Sequence, residues 1–506
     1  MSEKTDNKEK PSPTEEPKKT DQDISREEKI VKLAEAGVDL FPHRAERTHS
    51  VFEVVGDFAA LKPEELEKKK VEVVVPGRIL SIRKMGRATF ATVSDSRAKL
   101  QIYLREDRIG EKAYRLWQLL DIGDFVNIRG TLFKTRTGEL TVLVQAYTLL
   151  AKCLHPLPEK WHGLQDVELR YRRRYLDLIM NPEVGEVFRL RSRMIAEIRR
   201  FFDSRGYIEV ETPMMQPIPG GALARPFKTF HNALGIDLYL RIAPELYLKR
   251  LTVGGMEKVY EINRNFRNEG ISSEHNPEFT MLEFYEAYSD YHDMMNLTEE
   301  LLHSLSLMLL NKEDFPYGDE IISFRKPFAR LKYRDAVVAH SGLAPGRFES
   351  PQEVISFAAG LAAENQPLSH AKALDLIFDK LVKPRIVQPT FVTNIPKEIS
   401  PLAKASRDNP EETERFELIV AGMEIANAFS ELSDPQEQRR RFEQQAEEKK
   451  KGDEESHWID LDYVQALEYG LPPTGGEGIG IDRLTMLLAN RRSIREVILF
   501  PLLRPK

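Results

Sequence analysis

Short hydrophobic runs with alternating polar positions occupy residues 70 to 150 and predict a small β-domain. The runs are VEVVVPGRIL, ATFATVSD, KLQIYL, FVNIRGTLF and LTVLVQAYTLL, with Gly, Asp and Thr-Gly turns between them and one helical piece near residues 111–120. Five strands of this kind are typical of a Greek-key barrel of the oligonucleotide-binding (OB) type. The sequence therefore predicts an OB-type barrel over residues 70–155.

The pattern changes after residue 181. Apolar residues at helical spacing follow Pro182 and predict a long amphipathic helix that ends at Gly206. YIEVETP, LYLRIA, VYEINRNF and FTMLEFYEAY alternate as strands do, with a helical stretch around 292–311 and a helix-rich insertion near 330–385. Adjacent alternating strands without a βαβ rhythm favour a mainly antiparallel sheet flanked by helices, so the expected fold class is α+β.

The N-terminal region differs from both domains. Residues 1–25 lack aromatic residues and mix Lys, Glu, Asp and Pro, a composition typical of a disordered tail. Ser25-Arg-Glu-Glu28 has the pattern of a capping box and predicts a helix that begins there and ends at Gly37. We expect residues 26–69 to be a helical segment and residues 156–180 a linker.

One polar stretch, EINRNFRNEG at residues 261–270, lies within a predicted strand. Alternation places one set of polar residues on a single face: Glu261, Asn263, Asn265, Arg267 and Glu269. A solvated face is the ordinary interpretation, and a ligand-binding face is the alternative. Arg264, on the opposite face, is expected to be a structural ion-pair partner.

The composition is ordinary for a globular protein, with 506 residues, 41% hydrophobic content and a net charge of −6. This charge does not suggest nucleic-acid binding through bulk electrostatics. Cys153 is the single cysteine, which excludes an intramolecular disulfide and a cysteine-based zinc cluster within one chain. No apolar run approaches the ~20 residues that span a bilayer, and the N-terminus has no signal-peptide pattern, so we expect a cytoplasmic protein.

The C-terminal block carries candidate chemistry. GGEGIGIDRL, residues 475–484, is expected to be a glycine-rich loop entering a helix, although it lacks the Lys-Ser/Thr of a P-loop. Arg483 in that helix needs an anionic partner, either an internal acid or a nucleotide. Glu417 and Glu424 would repel each other unless a cation lies between them, and their oxygens suit magnesium.

Together these segments carry a family resemblance. GYIEVETP with the helix before it, FRNE through HNPEF, and GIGIDR resemble the three ordered signature motifs of class II aminoacyl-tRNA synthetases. PGGALARPFKTFHNALGIDLYLRIAPELYLKRL, EFTMLEFYEAYSDY, SPLAK and NAFSEL are similar to the bacterial lysyl-tRNA synthetases in particular. The resemblance runs from about residue 28 to the C-terminus. It implies that residues 181–506 form a class II catalytic domain and that residues 70–155 bind the anticodon.

The resemblance implies attachment of L-lysine to tRNA(Lys) by a homodimer, through a lysyl-adenylate and with release of AMP and pyrophosphate. Arg267 and Arg483 are the implied catalytic residues. The implied ATP contacts are Arg267 at the α-phosphate, Glu269 at the adenine amino group, His275 at the distal phosphates, Asn276 beside it, and Phe279 with Arg483 around the adenine ring. Glu417 and Glu424 match the family's magnesium ligands, with about three ions per active site.

The implied lysine pocket is acidic, because a buried ammonium group needs a fixed anion. Its implied members are Glu283 and Tyr285 at the side-chain amine with Glu431 nearby, Gly221 and Glu245 at the α-amino group, Asn427 and Arg267 at the carboxylate, and Phe429. Aspartyl enzymes share the domain plan but need cations at the end of the pocket. Glu283 has the wrong sign for aspartate.

On the barrel, the resemblance implies that Arg78, Phe90, Gln101 and Glu139 read the uridine-rich anticodon. Taken alone, Phe90 is more typical of a core residue, and the resemblance makes it a stacking platform. The helix before Gly206 is the implied dimer interface. One departure is Glu274, where many bacterial relatives have an arginine, and it leaves more of the triphosphate binding to His275 and Arg483.

Two other functions stay open at this point. An adenylate enzyme that transfers lysine to a protein side chain would lack the anticodon barrel. A non-catalytic tRNA-binding protein with the same fold would be expected to lose Arg267, Glu269 or Arg483, and all three are present.

Overall fold

The computed structural model describes residues 19–158, 164–362, 368–450 and 458–505, with no side-chain description at 448–450. The chain divides into two compact units, Met1–Gly185 and Glu186–Lys506. Over the described residues, no helix is both long and apolar enough to cross a membrane. Most of the predicted tail, residues 1–18, lies outside the described residues.

Five strands of the first unit close into a barrel in the order β1-β2-β3-β5-β4. They are β1 (Glu72–Met85), β2 (Ala88–Ser94), β3 (Lys99–Arg105), β4 (Phe125–Lys134) and β5 (Leu140–Ala151). Alternate residues of β2 and β3 are buried, because successive side chains of a strand point to opposite faces. Val93, Ile102 and Val142 belong to the resulting core. The predicted OB-type barrel is confirmed.

The first helix of this unit begins earlier than the sequence predicts. The helices of the unit are α1 (Asp21–Glu35), α2 (Val51–Phe58), α3 (Pro63–Lys69), α4 (Glu106–Ile109), α5 (Glu111–Trp117), α6 (Val167–Arg172) and α7 (Arg174–Met180). Thr20, rather than Ser25, caps α1: its Oγ1 accepts the Asp23 N–H at 3.2 Å, and the Asp23 carboxylate accepts the Thr20 N–H at 2.7 Å. The predicted helix start at Ser25 is therefore wrong, and residues 21–25 are helical.

The second unit contains a large sheet and two small ones. Its strands are β6 (Ile208–Glu209), β7 (Met215–Gln216), β8 (Lys228–His231), β9 (Ile236–Leu240), β10 (Lys258–Phe266), β11 (Glu278–Ala287), β12 (Asp314–Tyr317), β13 (Glu320–Ser323), β14 (Ala329–Lys332), β15 (Thr390–Thr393), β16 (Arg415–Val420), β17 (Met423–Ser430) and β18 (Thr474–Gly480). The large sheet has the order β14-β15-β16-β17-β18-β11-β10-β6, while β7-β9-β8 and β12-β13 are separate.

Most neighbours in the large sheet are antiparallel, and only β14 with β15 and β10 with β6 are parallel. The predicted α+β class with a mainly antiparallel sheet is confirmed. The prediction of a loop at GGEGIGIDRL is wrong, because residues 474–480 are the strand β18, hydrogen-bonded to β17 on one side and β11 on the other. Glycine within a strand marks a place where other groups approach the backbone closely.

Helices cover the sheet and form the insertion. They are α8 (Pro182–Asp203), α9 (Glu245–Val253), α10 (Tyr291–Leu310), α11 (Tyr333–Ser341), α12 (Pro345–Phe348), α13 (Pro351–Ala359), α14 (His370–Ile377), α15 (Pro435–Lys450), α16 (Leu461–Glu468), α17 (Ile481–Leu488) and α18 (Ile494–Val497). α8 and α10 pack on the sheet through Met194, Phe202 and Leu302. The helices α11 to α14 of the insertion share a second core around Val337 and Leu374.

Candidate active site

A cavity of about 710 Å³ lies on one face of the large sheet. All of the predicted active-site residues except Glu431 line it: Gly221, Glu245, Arg267, Glu269, His275, Asn276, Phe279, Glu283, Tyr285, Glu417, Glu424, Asn427, Phe429 and Arg483. They come from three strands, two helices and two connecting segments. Only the folded sheet brings them together.

Strand register places several of these side chains in two neighbouring rows that cross the sheet. One row runs through Glu417 on β16, Asn427 on β17, Gly478 on β18, Glu283 on β11 and Glu261 on β10. The neighbouring row contains Arg415 on β16, Phe429 on β17, Gly476 on β18 and Tyr285 on β11. Residues two apart on a strand share a face, so both rows face the cavity.

The glycines of β18 make room for this cavity. A Cβ on Gly476 would lie 2.1 Å from Glu431 Oε1 and 2.4 Å from the Tyr285 ring. A Cβ on Gly478 would lie 3.1 Å from the Met281 methyl group. The cavity-facing side of β18 is therefore free of side chains at Gly476 and Gly478. The side chains of Glu431, Tyr285 and Met281 pack against its backbone there.

Glu283 is a buried carboxylate that lacks a strong cationic partner of its own. Glu261 lies directly opposite on β10, but its Oε1 is 2.6 Å from the buried guanidinium of Arg241. Burial, together with the charges of Glu245 and Glu261, raises the pKa of Glu283 to about 8. A cation bound in the cavity would stabilise the ionised form of Glu283.

A second acidic group surrounds Lys249. The ammonium of this wholly buried lysine is 2.6 Å from Glu245 Oε1, one turn earlier on α9, and also forms an ion pair with Glu431. The ring of Phe429 lies 5.2 Å from Lys249 Nζ. Gly221, with φ of +87°, packs against Glu245 so closely that a Cβ would lie 2.8 Å from the Glu245 Cβ.

Arg267 and Glu269 follow the end of β10 and are not on its face. The strand ends at Phe266, and the Arg267 N–H donates to the Pro277 carbonyl at 2.9 Å, which closes the β10–β11 loop. The Arg267 guanidinium lies 5.1 Å from the centroid of the Phe279 ring. The predicted alternation holds for Glu261, Asn263 and Asn265 only, and these three are buried, so their face is not solvated. Arg264 on the other face pairs with Glu278 at 3.4 Å.

His275 and Arg483 contact each other at one end of the cavity. Arg483 Nη2 lies 3.1 Å from His275 Nε2, and its Nη1 donates to the Glu424 carbonyl at 2.7 Å. Because the guanidinium can only donate, Nε2 accepts and the imidazole proton lies on Nδ1, 2.8 Å from Ser272 Oγ. Burial and the Arg483 charge lower the pKa of His275, which favours the neutral ring. Asn276 donates from Nδ2 to the Glu278 carbonyl at 2.6 Å.

Glu417 and Glu424 lie on adjacent strands and act on each other electrostatically. Burial and the Glu424 charge raise the pKa of Glu417 to about 7. Arg415 holds Glu417 at 2.7 Å and donates from Nε to Asn427 Oδ1 at 3.1 Å, which leaves the Asn427 amide hydrogens directed away from Arg415. Over the described ranges, no group of three His, Cys, Asp or Glu side chains is placed to hold a metal ion. The oxygen donors and their repulsion still fit a hard divalent cation.

Comparisons with known proteins identify the family of the chain. Residues 166–504 match the family of class II tRNA synthetases (D, K and N), and residues 73–150 match the OB-fold nucleic acid binding domain. A lysine–tRNA ligase from Pelotomaculum thermopropionicum is 53% identical over 95% of this chain and 94% of its own. The chain belongs to the lysine–tRNA ligase family of class II tRNA synthetases.

Other relatives give the same match. Lysine–tRNA ligases from Carboxydothermus hydrogenoformans and Bacillus cereus are 51% and 50% identical to this synthetase. The matches cover 95% and 96% of this chain, and 97% and 98% of the relatives' lengths. The similarity therefore extends through both units, and it includes the barrel as well as the sheet.

The outer surface of the synthetase barrel carries a half-buried group of aromatic rings. The Phe90 ring stacks on Tyr103 with centroids 4.3 Å apart, and Phe133 lies 6.4 Å from Tyr103. Phe90 alternates with the buried Thr89 and Ala91 and so lies outside the barrel core. The outer face of a strand, rather than the interior, is where a base can stack.

The other predicted anticodon residues lie on neighbouring strands or turns of the same barrel. Gln101 on β3 accepts from Thr141 Oγ1 at 3.0 Å. Glu139 is exposed in the turn before β5. Arg78 on β1 packs its guanidinium 4.1 Å from the Phe125 centroid and donates to the Gly123 carbonyl at 2.8 Å. Arg78 is therefore partly occupied by contacts within the barrel.

Sequence reasoning missed the cations that hold the acids of the site. Lys249 has a local signal, because it follows Glu245 by four residues in a helix. Arg415 has one too, because it shares a strand face with Glu417 two residues later. Arg241 pairs with Glu261 across 20 residues, and no local spacing indicates that contact.

Proposed function

We propose that this synthetase attaches L-lysine to tRNA(Lys) through a lysyl-adenylate, with release of AMP and pyrophosphate. The observation that carries the proposal is the acidic end of the cavity, where Glu245 and Glu431 share the ammonium of Lys249 and the nearby buried Glu283 has no ion-pair partner among the described residues. Lysine brings two ammonium groups. Those two cations match the excess of buried acid, whereas an aspartate side chain would add a further negative charge.

In the proposed binding mode, the side-chain ammonium of lysine contacts Glu283 and Tyr285 near Glu431. The α-ammonium contacts Glu245 and the backbone at Gly221. Asn427, oriented by Arg415, donates to the substrate carboxylate. This arrangement points the carboxylate along the row toward Glu417, which is the end of the cavity where ATP would bind.

The first step joins the lysine carboxylate to the α-phosphate of ATP and expels pyrophosphate. Arg267, which lines the same cavity, neutralises the carboxylate and the α-phosphate. Phe279 and Arg483 hold the adenine ring, with Glu269 at its amino group, and His275 contacts the distal phosphates. Asn276 shapes the loop through its hydrogen bond to the Glu278 carbonyl.

Glu417 and Glu424 would hold magnesium, and about three ions per site are proposed from the family. When bound, magnesium neutralises the phosphate charge and assists departure of pyrophosphate. The residues of the chain then align the reactants. In the second step the terminal hydroxyl of tRNA attacks the lysyl carbonyl and AMP leaves.

We also propose that the domain over residues 70–155 reads the anticodon through Phe90, Arg78, Gln101 and Glu139, and that the catalytic domain spans residues 181–506. A homodimer is proposed through α8 and the strands after it, where Met215, Phe230 and Ile236 are exposed. Sedimentation of the full chain at several concentrations tests the dimer, and a single monomeric species would contradict it.

Lysine-dependent exchange of pyrophosphate into ATP, followed by charging of bulk tRNA, tests the proposed function. We expect both activities with lysine and neither with aspartate or asparagine. Exchange without tRNA charging would instead favour transfer of lysine to another acceptor. No exchange with any amino acid would contradict both enzymatic interpretations.

A further inference from the structure

A cation from the helical insertion reaches the nucleotide end of the cavity. Helix α14 continues into a π-helical turn at Phe378–Val382 and a 3₁₀ turn at Lys383–Arg385. Phe378, Asp379, Lys383 and Pro384 all line the cavity. Single π-helical turns are rare and are often found at functional sites. Here the turn brings the side chain of Lys383 to the wall that also carries Glu417 and Glu424.

The backbone around Lys383 is fixed to the turn between β16 and β17. The Ala421 N–H donates to the Val387 carbonyl at 2.8 Å, and the Gly422 N–H donates to the Ile386 carbonyl at 2.9 Å. Gly422 has a φ of +78°, and a Cβ there would lie 3.4 Å from the Pro384 Cα. Because this turn joins the strands of Glu417 and Glu424, the position of Lys383 is set relative to both carboxylates.

The ammonium of Lys383 forms an ion pair with an exposed carboxylate and lines the same cavity as Glu417 and Glu424. Its Nζ lies 2.6 Å from Asp379 Oδ1, but the Asp379 side chain is 60% exposed, whereas that of Lys383 is 19% exposed. An ion pair with an exposed carboxylate contributes little and can be exchanged for a better one. Burial disfavours the ionised form of Glu424, but the nearby charges of Lys383 and Arg483 hold its pKa below the usual value. A cation placed among the predicted phosphate-binding groups is suited to an anion.

We propose that Lys383 is a phosphate-binding residue, whose ammonium contacts the β- or γ-phosphate of ATP at the end of the cavity opposite the lysine pocket. This inference rests on the proposed function for the identity of the nucleotide. The same cavity is also lined by Glu274, whose negative charge would repel the triphosphate. Lys383 supplies the triphosphate with a cation from the insertion, on a different segment from the loop that carries Glu274.

Binding of ATP and of AMP to the full chain, measured by calorimetry with magnesium and without lysine, tests this assignment. Lys383→Met is expected to weaken ATP binding by about tenfold to a hundredfold, the usual worth of a hydrogen bond to a charged group. AMP binding should be unchanged, because AMP lacks the phosphates in question. Lys383→Arg should retain most of the ATP affinity.

Lys380→Met is the matched control, since Lys380 lies three residues earlier and donates to the Leu361 carbonyl at 2.8 Å rather than into the cavity. If Lys383→Met does not fold by circular dichroism, Lys383→Gln supports the same comparison. Equal weakening of ATP and AMP, or no weakening of either, would overturn the proposal. The comparison of ATP with AMP does not involve lysine, so its failure is distinct from an absence of lysine-dependent exchange in the unaltered enzyme.

Discussion

Replacing Glu283 by glutamine tests the acidic pocket with almost no change in side-chain volume. The substitution removes the carboxylate that we place at the side-chain ammonium of lysine. Glu261 opposite is already neutralised by Arg241, so the variant has no other uncommitted acid at this position of the row. Removing one partner of a buried ion pair costs about 3–5 kcal/mol, because the other charge stays buried.

The net effect is smaller, because the empty pocket holds Glu283 partly as the neutral acid. Its pKa of about 8 means that at pH 7 the carboxyl group must first lose a proton, at a cost of about 1.4 kcal/mol. The expected loss is therefore about 2–4 kcal/mol, or roughly 30-fold to several hundredfold in kcat/KM for lysine. The ATP requirement should change little.

The pH dependence gives a sharper result. Below the pKa of about 8, lysine binding must displace a proton from Glu283, so the lysine requirement of the unaltered enzyme should fall as pH rises and level off above 8. The Glu283→Gln variant should lack this inflection. Pyrophosphate exchange from pH 6 to 9.5, varying lysine and then ATP, measures both effects.

Glu286→Gln is the matched control. Glu286 lies on the same strand but on the other face, where it accepts from Tyr207 at 2.6 Å and pairs with Lys258. Its substitution should leave the lysine requirement and its pH dependence unchanged. Equal changes in the lysine and ATP requirements of Glu283→Gln, or an inflection near pH 8 that persists in that variant, would refute the placement of Glu283.

Three further outcomes are expected. Phe90→Ala should reduce tRNA charging and spare lysine-dependent exchange, because its ring lies on the barrel surface; loss of exchange would argue against that role. Lys249→Met should destabilise the fold by about 3–5 kcal/mol, since it leaves the buried Glu245 and Glu431 without their common cation. Added lysine should raise the Tm of this variant more than that of the unaltered chain, and an equal rise would contradict the proposed binding of lysine beside these acids. Glu477 is buried with Thr298 Oγ1 at 2.6 Å, and burial holds its pKa well above the unfolded value, so stability should fall as pH rises from 6 to 9 and fall less in Glu477→Gln; identical Tm slopes for the two chains would contradict a raised pKa of Glu477.

The sequence predicted those elements whose local pattern agrees with their final environment. The barrel strands alternate because one face of each is buried in the core, and the long helix after Pro182 has an apolar stripe that packs on the sheet. The same local logic failed for Thr20, because two capping boxes lie close together and the structure uses the earlier one. It failed again for β18, because glycine usually marks a loop and here marks a crowded strand.

The site was less accessible to pattern reasoning than the fold. Resemblance supplied its residues, but neither resemblance nor spacing indicates that Glu261 and Glu283 are opposite each other or that Arg241 neutralises only one of them. Strand register decides that difference, and register depends on pairings between distant parts of the chain. Lys383 is a similar case, because its approach to Glu424 depends on how the insertion is fixed to the β16–β17 turn.

The row from Glu283 to Glu417 crosses three strand intervals, so the two ends of the site are held about 14 Å apart by backbone hydrogen bonds. The sheet thus fixes the distance between the two ends of the site. In the proposed binding mode, an amino acid one methylene shorter, such as ornithine, would not be accommodated by a small loop movement, because bringing its ammonium to Glu283 would withdraw its carboxylate from the nucleotide. The proposed binding mode therefore makes discrimination by chain length a property of the hydrogen-bonded framework, and a side-chain substitution would change it only by replacing the acid with a longer or shorter one.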